Sequence, residues 1–321
     1  MSRRAPVHRR RLVLAAVTAV AAIVLAACDG GSRADRAGTG APATATTSLG
    51  VSVPPGTLDD VPDGDRPYQV AILDVTRAGK DGRPARNDLE RQHCGGSLIG
   101  PRHVLTAAHC VDPASWEGPF DPRRDLRVVV GQAVLDSTKG QRRFISAYKA
   151  HPRYTGGDAA GAYDLAVVTL NEPVTGIEPV RLVASGDNGL AAEGTTVTFT
   201  GWGDSRTLRA EKEDTARPRN RMKAAHVAVV DVGDCQDAYE RVEQQVPNQP
   251  LMLCTGTEDG IGTCLGDGGG PLVVETAGAP VQVGVVSTGL GCGDRRYPSV
   301  FARLAHPSLN AFVQAARRGG G

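Results

Sequence analysis

Apolar positions divide the chain into three stretches. Residues 12–27 form a nearly unbroken run of Ala, Val, Leu and Ile. From Asp29 to about Asp65 no periodic apolar face exists, and Gly, Ala, Thr, Ser, Pro and Asp dominate; this composition predicts a flexible tether. Beyond it, apolar residues come in short β-rich runs at 67–73, 94–99, 104–110, 126–131, 163–170, 197–203 and 225–231, separated by Gly, Pro and polar breakers. Such runs predict strands. A short helix is expected at 233–241 around Cys235. A terminal helix is expected where Leu309, Phe312, Val313 and Ala316 share one face, with Ser308 as its cap. The pattern is that of an all-β domain closed by a C-terminal helix.

Charge changes the reading of the first stretch. The first 27 residues carry five arginines and no acid, and a basic segment ahead of an apolar run is the form of an export signal. Removing it turns the formal net charge of +1 negative, which argues against a nucleic-acid partner. Seven cysteines leave one unpaired. The apolar run ends in Leu25-Ala26-Ala27-Cys28, which resembles a bacterial lipobox. On that resemblance Cys28 is lipidated and the chain is held to the membrane surface, with 28–65 as its tether and a folded domain over 66–317.

Three blocks carry chemistry. Cys94-Gly95-Gly96-Ser97-Leu98-Ile99 leads to Val104-Leu105-Thr106-Ala107-Ala108-His109-Cys110. Tyr163-Asp164-Leu165-Ala166 sets one acid before a buried strand. Cys264-Leu265-Gly266-Asp267-Gly268-Gly269-Gly270-Pro271-Leu272 is rich in glycine around a single aspartate. Together these resemble the trypsin/chymotrypsin-like serine proteases, over about 66–317. The resemblance implies two six-stranded antiparallel β-barrels with a C-terminal helix, His109 as general base and Asp164 as the carboxylate that orients it. It also implies backbone donors at Gly266 and Gly268 for an oxyanion, a substrate pocket at Gly262, Ser287, Gly289 and Ser299, and pairings Cys94–Cys110, Cys235–Cys254 and Cys264–Cys292.

The chain departs from the family pattern at its centre. Gly268 stands where the family places its nucleophilic serine, and a hydrogen cannot attack a carbonyl. Upstream, Val53-Pro54-Pro55-Gly56-Thr57 replaces the family's activation terminus, whose ammonium would pair with Asp267. Asp267 is therefore expected to be turned outward or paired elsewhere. Gly262 at the pocket base, Gly289 and Ser299 imply an uncharged pocket. No histidine lies at metal-ligand spacing, so neither metal nor cofactor is expected. Three readings remain open: a non-catalytic protease homologue binding a peptide or protein in its cleft, as a monomer; a working serine endopeptidase, should Gly268 be an error or an engineered change; and a structural envelope protein.

Overall fold

Two groups of strands wind up separately from the two halves of the folded chain. The computed structural model describes residues 53–319 except 79–81, 117, 157–161, 205–211, 213–217, 243–248 and 258. The predicted signal, Cys28 and most of the tether lie outside the described residues, as does much of the charged stretch 204–221. The strands are β1 (Thr57–Asp60), β2 (Gln69–Asp74), β3 (Gln92–Gly100), β4 (His103–Thr106), β5 (Leu126–Val130), β6 (Gln141–Arg143), β7 (Ile145–Ala150) and β8 (Ala166–Leu170). They continue with β9 (Arg181–Leu182), β10 (Thr196–Gly201), β11 (Lys223–Val230), β12 (Met252–Thr255), β13 (Pro271–Val274), β14 (Val281–Thr288) and β15 (Ser299–Arg303).

The first half makes a seven-stranded sheet in the order β6-β5-β2-β3-β4-β8-β7. The second makes the order β11-β10-β13-β14-β15-β12, closed by pairing of β12 back onto β11. That ring is a six-stranded barrel, as the resemblance implies. The first sheet carries β6 as an extra three-residue edge strand on β5, and among the described residues β6 does not pair with β7.

Strand β2 shows why the halves cohere. All six of its residues are buried, and successive side chains point to opposite faces. Val70 and Ile72 enter the main core, while Ala71 and Leu73 join a second cluster with Val129, Leu135, Trp202 and Met222. Trp202, from the second half, donates through Nε1 to the Ala133 carbonyl at 3.2 Å. Two buried polar pairs also cross between the sheets. Gln69 and Thr200 exchange hydrogen bonds of 3.1 and 2.6 Å, and Ser97 Oγ donates to Gln282 Oε1 at 2.7 Å.

The ordered chain begins earlier than composition suggested. Residues 57–60, assigned to the tether, form β1, which pairs antiparallel with β11. Val61 follows as a buried core residue. Leu58 is the sole apolar residue of β1, so its pairing is set by β11 rather than by its own pattern. The helix Val232–Glu240 is capped by Asp231, and Cys235 bonds to Cys254 on β12. In the terminal helix Pro307–Arg318 the cap is His306, not Ser308: with Pro307 in the first turn, the His306 side chain accepts from the Ser308 N–H. Leu309, Phe312, Val313 and Ala316 are buried as the pattern requires.

Candidate active site

Strand β4 ends at Thr106, and after Ala107 a short helical turn (Ala108–Cys110) carries His109. Asp164 precedes β8, the partner of β4, and sits on a tight turn in which the Leu165 N–H donates to the Tyr163 carbonyl at 2.7 Å. Tyr163 takes φ 61° there, an uncommon conformation for a residue with a side chain. The pairing brings the two residues together. His109 Nδ1 lies 2.8 Å from Asp164 Oδ2, and the His109 backbone N–H donates to Oδ1 at 2.9 Å. Ser287 Oγ donates to the same Oδ2 at 2.8 Å. Asp164 is 3% exposed and the His109 side chain 32%.

Electrostatics follow from this geometry. Burial works against the imidazolium, but the charge and hydrogen bond of Asp164 outweigh it and lift His109 above its ordinary value. Burial likewise pushes the Asp164 carboxyl up, and the charge and hydrogen bonds of His109, with the Ser287 hydroxyl, prevail and hold it low. His93 goes the other way. Burial, with the neighbouring charges of His109 and Arg77, drives it down to about 3, so its ring stays neutral.

The loop 264–270 lies under the imidazole. The Gly95 N–H donates to the Gly268 carbonyl at 2.7 Å, seating the loop on β3. Gly269, with φ 80°, passes so close to Thr106 that a Cβ would collide with the hydroxyl. Gly268 differs: its φ lies outside the left-handed region, so its backbone would accept any residue. What faces it is the histidine. A Cβ on Gly268 would stand 2.6 Å from His109 Nε2 and 3.0 Å from Cε1. The imidazole has settled over the glycine.

Asp267 is not turned outward. It is 4% exposed, and its carboxylate accepts from the Gly203 N–H at 2.8 Å and the Cys264 N–H at 3.0 Å. Gly203 must lack a side chain, since a Cβ would collide with this carboxylate. Among the described residues no cation reaches it. Burial dominates and pushes its carboxyl up to about 6, against the two backbone donors.

A cleft of about 390 Å³ opens beside His109, walled by Gly266, Gly268, Ser287 and Gly289 together with Arg77, Gln92, His93, Thr263 and Leu265. Two expected pocket residues, Gly262 and Ser299, do not line it. The Ser299 hydroxyl accepts from the Thr263 N–H at 3.0 Å and from Thr263 Oγ1 at 3.2 Å, and a Cβ on Gly262 would meet Gly293 Cα, the Thr257 methyl and Ser299 Oγ within 3.0 Å. Gly262 instead borders a small cavity of about 20 Å³ beside Asp267. Sequence reasoning also missed Arg77, Gln92 and His93. The last two adjoin the Cys94 motif and could have been suspected; nothing local marks Arg77. Ser287, expected in the pocket, also serves Asp164.

The three disulfides are Cys94–Cys110, Cys235–Cys254 and Cys264–Cys292. The ligand atoms of Cys94, His109 and Cys110 lie within 4.8 Å of one another. The two sulfurs are bonded to each other, however, and offer no thiolate to a metal.

A barrel, a curled sheet, and a His–Asp pair held between them define a protein of the serine-protease class. The family model for trypsin matches residues 58–312, and the chain belongs to that family. It is 34% identical over 244 residues to trypsin of Saccharopolyspora erythraea, covering 75% of this chain and 88% of that one. It is 33% identical over 253 residues to phenoloxidase-activating factor 2 of Galleria mellonella, covering 76% and 78%. Trypsin 5G1 of Aedes aegypti is 31% identical over 250 residues, covering 77% and 79%.

Proposed function

We propose that this member of the trypsin family binds peptide in its cleft without cutting it, as an exported regulatory or binding module tethered to the bacterial membrane surface through Cys28. The observation that carries the reading is Gly268 beneath His109. Nucleophilic catalysis needs a hydroxyl to attack, an imidazole to take its proton and a carboxylate to hold the imidazole; that scheme describes this same family and is borrowed from it. Here the last two are in hydrogen-bonded register and the first has no atom to supply it. Asp267 accepts from two backbone N–H groups and, among the described residues, meets no cation, which fits a loop without the family's activation terminus. The disulfides are compatible with an oxidising exterior. The second reading, a working endopeptidase, draws on the intact His109–Asp164–Ser287 network.

One experiment separates the two. Full-length protein and its Gly268→Ser variant are assayed on peptide substrates and with a serine-directed phosphonate probe. The wild type is expected neither to cleave nor to be labelled at residue 268. Turnover by the wild type, or a covalent adduct on it, overturns the proposal. Cleavage by the variant alone marks the scaffold as competent; silence of both assigns a second defect to the uncompensated Asp267.

A further inference from the structure

Asp164 is the centre of a three-residue turn, closed by the Leu165 N–H on the Tyr163 carbonyl at 2.7 Å. The direction of its carboxylate therefore depends on what fixes the residues on either side. Downstream, Leu165 is fully buried, and its carbonyl accepts from the His151 N–H at 2.8 Å. Upstream, residues 151–163 form no strand among the described residues. Tyr163 stands there with φ 61°, a conformation that a residue with a bulky side chain keeps only when its surroundings impose it.

Those surroundings are a stack of side chains. The His151 ring lies on Tyr163 with centroids 4.7 Å and planes 21° apart. Arg153 holds its guanidinium over the same ring, 4.3 Å from the centroid. Phe312 of the terminal helix meets His151 edge-on at 4.8 Å. Each separation lies where rings, or a ring and a cation, attract one another. The residues after β7 are tied together as well, since the Arg153 N–H donates to His151 Nδ1 at 3.2 Å. Burial and the Arg153 charge hold His151 below its ordinary value, so a neutral ring sits beside the guanidinium. None of these side chains lines the cleft. They reach the site only through the backbone of Tyr163, which joins the terminal helix to the carboxylate facing His109.

We propose that Tyr163 is a positioning residue: gripped by His151 and Arg153, it holds the turn that keeps Asp164 Oδ2 on His109 Nδ1 and Oδ1 on the His109 backbone N–H. Without the grip, the turn relaxes to an ordinary conformation and carries the carboxylate off the imidazole. The role does not depend on residue 268 and belongs equally to a protein that binds and to one that cuts.

The test reads His109 directly. Apart from burial, Asp164 is what shifts this imidazole, so its titration midpoint reports how well the carboxylate is placed. Full-length protein with isotope-labelled histidine is titrated by NMR, the His109 signal being assigned by its loss in His109→Gln. The wild type is expected to titrate above the ordinary imidazole value and to show a low-field Nδ1–H proton bonded to Asp164. A midpoint at the ordinary value overturns the proposal. Tyr163→Phe keeps the ring and is expected to match the wild type. Tyr163→Gly permits the same backbone without strain but removes the ring; its midpoint is expected to fall and its low-field proton to be lost. A Tyr163→Gly variant, shown by circular dichroism to be folded, that keeps both signals overturns the proposal. Should it not fold, Arg153→Ala decides, since Arg153 is exposed and lies outside the turn. Loss of its positive charge alone would raise the His109 midpoint; loosening of the turn lowers it. A fall is expected, and a rise or no change overturns the role given to Tyr163. No substrate is used, so failure here leaves the reading of Gly268 untouched.

Discussion

Asp164 accepts from three donors: the His109 ring, the His109 backbone and the Ser287 hydroxyl. A buried carboxylate is tolerated only when its oxygens are so engaged. Ser287→Ala removes the one donor that comes from the second half of the chain. It is expected to destabilise the protein by about 1.5–3 kcal/mol, the range for a hydrogen bond to a charged group, read from urea unfolding. The His109–Asp164 pair has its own pH window. His109 is raised, so its contribution is full below the ordinary imidazole range and is lost as pH rises through the raised value. Asp164 is lowered, so its contribution is full above the ordinary carboxylate range and is lost as pH falls through the lowered value. Together they favour a stability maximum between the two.

At the level of the element, the loop 264–270 bears a strain of the opposite sign. The carboxyl of Asp267 is pushed up to about 6 in the fold, above its value in an unfolded chain. The folded state therefore holds its proton longer. Its stability is full below about pH 4 and falls as pH rises to about 6, by on the order of 2–3 kcal/mol. Asp267→Asn is expected to abolish that slope, measured as thermal midpoint against pH from about 4 to about 7. The variant is not expected to gain the whole difference, because an amide offers one acceptor where Gly203 and Cys264 present two donors. An unchanged slope would show that the Asp267 carboxyl is not its source. Elements also differ in how far their residues announce them. The blocks around His109, Asp164 and residues 264–272 are legible because each sets unusual residues at fixed spacing in a β-rich run. Strand β1 is not legible, since its partner lies more than 160 residues away and its own sequence is mostly polar. Arg77, Gln92 and His93 reach the cleft through the packing of the sheet, which local sequence does not encode. The missing side chain at Gly262 was legible; that Gly293, Thr257 and Ser299 crowd it was not.

For the whole molecule, coupling between the two sheets rests on apolar contact through the second cluster and on the buried pairs Gln69–Thr200 and Ser97–Gln282. Apolar contact is tolerant of small sliding; a buried hydrogen bond is not. Ser97→Ala leaves Gln282 Oε1 without its partner in a dry site, and Gln282→Leu removes both groups' needs only if Ser97 is also changed. The single variant is expected to lose about 1–3 kcal/mol, and the double variant Ser97→Ala with Gln282→Leu to recover part of that loss. Chemical denaturation of the two variants checks this, and equal losses would show that the pair does not couple the sheets.

The backbone at residue 268 does not demand a glycine; the His109 imidazole stands in the way of a larger residue. A side chain placed at this position would therefore meet the imidazole before it met the fold around it. The loop's geometry thus separates what the fold demands at 269, where a Cβ would strike Thr106, from what it leaves open at 268.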